Sequence, residues 1–250
     1  MRCLTRAAAS LLLLSAAGTV PAGPPEGEDW RPLFNGKDLS GWVVPRQNNG
    51  AWKAVDGVID YDAKAGKHLW TEESFSDFDL HVEWRLKAYE EVYGDRKGSE
   101  GEPIPYTPDS GILLRGNPNE RRQVQVNIKA TSSATRGPGE IHPQCSDRDL
   151  PEAVRKTYQP KQQAARPLGQ WNAMRIRFVG DRIGVVLNGI TVVDGARLPE
   201  APRKGPIALQ HHGGWKRERN AYHPLSSLVQ FRNIYIRRIE PKGARKSPAG

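Results

Sequence analysis

Proton-transfer chemistry needs carboxylates or imidazoles held at fixed places, and this sequence offers them in three. The run GPIALQHHGG, Gly205 to Gly214, ends an apolar strand on two adjacent histidines and two glycines. Period-two alternation puts Leu209 and His211 on one side, Gln210 and His212 on the other. The two imidazoles therefore cannot enter one site from a regular strand. His212, beside the glycines, is the candidate acid or base, and its ordinary pKa suits either role. Glu83 stands mid-strand on the polar side of FDLHVEWRLK. Its plain alternative is an ion pair with Arg85 or a cross-strand arginine. Glu140 lies in the bend GPGEI, where a Gly-rich backbone can swing a carboxylate over a pocket.

Groups suited to holding a ligand surround these three. Gln125 and Asn127 share one face of QVQVNI, Arg115 follows an apolar strand, and Asp109 precedes Ser110-Gly111. Amides and guanidinium groups donate to hydroxyl and carbonyl oxygens. Gln210 shares the side of His212, and Trp215 and Tyr222 offer rings for stacking. A metal would draw on His211, His212, His223, Glu83 and Glu140, but no H-x-x-x-H or similar spacing demands one. No cofactor is called for, and a divalent ion stays open.

The elements that must position these residues read as strands. Phe78, Leu80, Val82, Trp84 and Leu86 alternate with polar residues, as do Val124, Val126 and Ile128, and Met174, Ile176 and Phe178. Asn188-Gly189 joins two β-branched runs and predicts a type I′ hairpin. PIALQ and SSLVQFRNIYIRRI supply two more strands, and only DRDLPEAVRKTYQP hints at a helix. Trp52, Trp84 and Trp171 read as core. Many short strands with few helices predict an all-β sandwich or barrel. Three long connections, 88–109, 129–169 and 212–227, can together wall a pocket.

The ends read differently from the middle. Arg2 and Arg6, the apolar run 11–17 and small residues to Ala22 predict a signal peptide over 1–22. A linker over 23–29, a domain over 30–240 and a basic disordered tail over 241–250 follow. The expected product is secreted or periplasmic, with no membrane partner once the leader is removed. Without the leader, Cys145 is the one cysteine, so no disulfide forms within the chain. The net charge of +9 includes two leader arginines, and the remaining basic residues are scattered. That pattern argues against a nucleic-acid partner. The oligomeric state is left open.

LFNGKDLSGW (Leu33–Trp42), DGVI (Asp56–Ile59), FDLHVEWR, DSGILLRG (Asp109–Gly116), GQWNAMRIRFVGDRIGVVLNG (Gly169–Gly189) and GPIALQHHG occur in order. Together they resemble the 3-keto-disaccharide hydrolase domain family over about Trp30 to Ile239. The resemblance implies a concanavalin A-like or jelly-roll sandwich of two antiparallel sheets, with long loops over one face. It also implies an enzyme acting on carbohydrates: an exported hydrolase or lyase cleaving glycosidic C1–O bonds of 3-keto-glycosides. A ketone at C3 acidifies the C2 proton, so a base can remove it while an acid protonates the leaving oxygen. The catalytic set is then Glu83, His212 and Glu140. The sugar-binding set is Arg115, Gln125, Asn127, Asp109, Gln210 and Trp215. Two carboxylates, Glu83 and Glu140, would also suit an ordinary glycosidase. The rival from another class is a non-catalytic carbohydrate-binding module. The sequence departs from the common family pattern at Gln123, where Glu is frequent, and at His211, where Asp is.

Overall fold

Each run read as a strand from its alternation is one. The computed structural model describes residues 26–240 apart from 28, 47, 64–65, 99, 121, 131–135, 146–150, 220 and 224–225. The expected leader and basic tail lie outside the described residues. The strands run in chain order from β1 (Arg31–Pro32), β2 (Trp42–Val43), β3 (Trp52–Val55) and β4 (Val58–Tyr61) to β5 (Leu69–Phe75) and β6 (Phe78–Leu86). Next come β7 (Asp109–Leu114), β8 (Val124–Lys129), β9 (Ile141–Pro143), β10 (Asn172–Val179), β11 (Arg182–Leu187) and β12 (Ile190–Arg197). The last are β13 (Gly205–Leu209), β14 (Trp215–Lys216), β15 (Ala221–Tyr222) and β16 (Val229–Arg238). Two short helices, α1 (Tyr89–Tyr93) and α2 (Glu152–Lys156), lie in the long connections. The second falls in the segment whose sequence hinted at a helix.

Two antiparallel sheets carry the architecture. One has the order β12-β11-β10-β6-β16-β4-β3, with β1 added on β16; the other runs β2-β5-β13-β7-β8-β9. Leu80, Val82 and Trp84 of the first sheet and Val124, Val126 and Ile128 of the second are buried in the core between them. Each such side chain, fully buried, contributes about 1.5–3 kcal/mol. The Asn188-Gly189 turn forms as predicted, with φ of +51° and +83° between β11 and β12. Trp52 and Trp84 are buried, but Trp171 is not a core residue. It packs under the guanidinium groups of Arg85 and Arg232, 5.7 and 4.1 Å from its ring centre.

Alternation also fixes what each sheet shows outward. Because β6 sends even-numbered residues inward, Asp79, His81, Glu83 and Arg85 lie on the outer face of the first sheet. In the second sheet Gln125 and Asn127 of β8 face outward beside Leu113 and Gly111 of β7, their register partners. These are two faces on opposite sides of the molecule. That single fact sorts the candidate residues.

Candidate active site

The outer face of the second sheet carries a continuous polar network. Gln125 and Gln210 exchange side-chain amide bonds, each 3.1 Å long. Gln125 Nε2 also donates to Asn127 Oδ1 at 2.7 Å, and its Oε1 accepts from Gln144 Nε2 at 2.8 Å. The four-fold capacity of one primary amide is thereby filled, so Gln125 acts as a hub that orients its neighbours. Asn127 Nδ2 donates to Glu140 Oε2 at 3.2 Å, and His142 Nε2 stands 3.5 Å from the same oxygen. Gly111 lets this network lie close on the strand. A Cβ there would lie 3.0 Å from Gln125 and Gln210 side-chain atoms. Trp70, Leu113 and Ala208 form an apolar patch on the same face.

Backbone pairing brings the titratable groups to one end of this face. Asn127 N donates to Glu140 O at 2.8 Å, and Gln210 N to Gly111 O at 2.9 Å. Asp109 starts β7 opposite Lys129. Burial holds the Asp109 carboxyl above its ordinary value, and Glu140 pushes the same way. The positive fields of His212, Lys129 and His142 oppose this without cancelling it. Glu140 goes the other way. Burial pushes its carboxyl up, but His142, the Asn127 amide and the Gly137 N–H together hold it below the usual range. One face therefore carries a carboxyl biased toward its acid form and another biased toward its anion. That divergence is how active sites separate acid from base.

Of the predicted residues, the structure gathers Asp109, Gln125, Asn127, Glu140, Gln210 and His212 here. It places three elsewhere. Glu83 is wholly buried in the first sheet's outer face, across the sandwich, where Arg232 Nε donates to its Oε2 at 2.7 Å. Arg232 is its register partner on β16, so the cross-strand pair is what forms. Burial raises the Glu83 carboxyl, and the pull of His81, Asn233 and Arg232 more than offsets it. Arg115 is fully buried at the far end of β7 and binds the backbone around it, not a ligand. Trp215, half-buried, sits with Tyr222 beside a different cavity.

The residues on which a metal would draw do not converge. Glu83 lies on the other sheet, and His211 turns away from His212 to meet the Tyr61 hydroxyl through Nδ1. Among the described residues no three His, Cys, Asp or Glu side chains group as metal ligands. Sequence reasoning missed His142 and Lys129. Lys129 continues the Gln125–Asn127 alternation and was legible there. His142 sits on a three-residue strand opposite Gln125, too short to show a period.

Glu83→Gln tests the sorting of the faces. Gln can still accept from Arg232 but carries no charge, so folding stability should fall by about 1–3 kcal/mol. A carboxyl with a lowered native pKa stabilises fully above its unfolded value and loses that contribution as pH falls through the native one. The gap from wild type should therefore close on acidification. Turnover by folded protein should stay within about twofold, a ratio that chemical denaturation and initial rates together measure.

The fold is thus an all-β sandwich of two antiparallel sheets, one of which has a polar, carboxyl-bearing outer face. Residues 29–237 match the profile of the 3-keto-alpha-glucoside-1,2-lyase-like domain, and the chain belongs to that family. Among solved structures it is similar to a provisionally named glycosyl hydrolase from Parabacteroides distasonis. That likeness has 22% identity and a TM-score of 0.56, covering 84% of this chain and 99% of the other. A second such protein of the same organism matches at 23% identity and a TM-score of 0.56, covering 85% and 84%. These likenesses show the fold. No curated protein matches the chain.

Proposed function

We propose that the outer face of the second sheet cleaves glycosidic C1–O bonds of 3-keto-glycosides by elimination across C1 and C2. The observation that carries this reading is the opposed bias of Asp109 and Glu140 on one polar face. Glu140, kept ionised, takes the C2 proton that the C3 ketone has acidified. The electron pair forms the C1–C2 double bond and expels the C1 oxygen, which Asp109 protonates as it leaves. Water then adds at C1. As it adds, Glu140 gives its proton back to C2, and the proton that the water sheds passes by way of His212 to Asp109, so both carboxyls are restored. Asn127 and Gln210 each make one donor bond within the network, which leaves a second N–H for the substrate's O3 or hydroxyls.

Family membership supports the substrate class, and the geometry supports the roles. The test pairs each glycoside with its 3-keto form and follows aglycone release, with and without a chelator. Release from the 3-keto form alone is the expected result. Chelator sensitivity would add a metal to the scheme. Binding of both forms with release from neither would overturn catalysis and leave a carbohydrate-binding module.

A further inference from the structure

Trp215 and Tyr222 line a cavity of about 630 Å³ that none of the amide residues enters. Their rings meet edge to face with centroids 5.0 Å apart, and Tyr222 meets Tyr93 at 6.5 Å. The wall is thus aromatic and braced. The rest of the lining is charged, and part of that charge is already matched. Lys87 Nζ lies 2.7 Å from Asp60, and Glu91 receives Arg85 on both oxygens, at 2.8 and 3.2 Å. Arg96 donates Nε and Nη2 to the carbonyls of Tyr93 and Val92 at 3.2 and 2.7 Å, closing the end of α1. Its Nη1 remains uncommitted among the described residues. The exposed Arg217 also lines the cavity, and no described carboxylate pairs with it.

One short segment separates this cavity from the catalytic end of the amide face. Ser226 O accepts from Asp109 N at 3.3 Å, and Ser227 Oγ donates to Asp109 O at 2.8 Å. Ser227 N donates to His212 O at 2.7 Å, while Leu228, the next residue, lines the cavity. Residues 226–228 thus join Asp109 to the wall of the cavity that Trp215 lines.

We propose that this cavity is a second saccharide subsite, for a pyranose unit bearing a carboxylate or a sulfate. It rests on the reading of the amide face as the cleavage site and says what lies beyond the scissile bond. A sugar's C–H face stacks on the Trp215 indole. The anionic group takes charge-assisted bonds from Arg96 and Arg217, and Asp62 accepts from ring hydroxyls.

Binding tests this without turnover. Tryptophan fluorescence and calorimetry would compare methyl glucoside, methyl glucuronide and methyl glucoside 6-sulfate, none of which carries a ketone. At least one anionic glycoside should bind about tenfold or more tightly than the neutral one, with the gap narrowing as salt is added. The gap should shrink in Arg217→Gln and close in the Arg96→Gln/Arg217→Gln double variant, while Trp215→Leu weakens all three. Preference for the uronate points to carboxylated glycans and preference for the sulfate to sulfated ones. Equal binding of the three, binding of none, or a preference that survives the double variant overturns the proposal. Arg217 is exposed, so its single variant keeps the test decisive if Arg96→Gln harms folding. A failed 3-keto assay alongside a positive result here would sink the elimination reading alone.

Discussion

Replacing Asp109 with asparagine should lower kcat/KM on a 3-keto-glycoside about 10²- to 10⁴-fold and leave the protein more stable at any pH where the native carboxyl is ionised. The two effects share one cause. Burial raises the Asp109 carboxyl, so the folded chain binds this proton more tightly than the unfolded chain does. Its stabilising contribution is complete below the unfolded pKa and is lost as pH rises through the folded one. Above that window the wild type carries a half-buried carboxylate that the amide would not. The backbone bonds of Asp109 to Ser226 and Ser227 do not involve its side chain and survive the change. The pH profile supplies a further signature. If Asp109 protonates the leaving group, the alkaline limb of the wild-type kcat/KM tracks its ionisation and disappears in the variant. Glu140→Gln should instead remove the acidic limb. An Asp109→Asn enzyme retaining most of its turnover, or losing it only through unfolding, would return the donor role to His212.

The sheets and the amide face were legible because a strand's period is two and a neighbouring pair of amides declares a face. Gln125 and Asn127 were placed on one face that way, and Gln210 by the alternation of its own strand. The partition of charged residues between the two outer faces was not. Glu83 and Asp109 both stand on the polar side of a strand, and nothing within either strand says which sheet that strand joins. Sheet membership comes from long-range pairing, here Glu83 with Arg232 across 149 residues of chain. The alternative of a cross-strand ion pair for Glu83 was the correct one. Asp109 entered the sequence reading as a sugar contact, and only its burial near Glu140 sets it apart as the carboxyl held above its ordinary value. Even the departure at Gln123 gains a physical setting, since its amide donates to Gln144 and extends the same network.

Arg115→Met should cost about 3–5 kcal/mol of folding stability, roughly 10 °C or more in Tm for a chain of this size. Arg115 follows β7 in a left-handed backbone conformation with φ of +48° and is fully buried. Its Nε donates to Ser76 O at 2.6 Å, and Nη1 to Gly180 O at 2.6 Å and Pro202 O at 3.3 Å. Nη2 reaches Asp77 Oδ1 at 3.0 Å and Phe178 O at 3.2 Å. Five acceptors meet the five N–H donors of a guanidinium. The group lies 3.6 Å from the Phe178 ring centre. Burial pushes its pKa down to about 10 against the pull of Asp77, which still leaves it charged at neutral pH. Methionine fills much of the volume but strands buried carbonyls and leaves Asp77 with the Gly180 N–H and no cation. Lysine should rescue little, because a compact ammonium cannot span acceptors arranged for a planar fork. Equilibrium denaturation reads the loss directly, and a change under about 1 kcal/mol would show that water replaces the clamp. The site lies about 20 Å along the strand from Asp109 at 3.3 Å per residue. Turnover per folded molecule should therefore be kept while stability collapses, the reverse of the Asp109→Asn result. A sugar-binding Arg115 would instead raise KM in protein that remains fully folded.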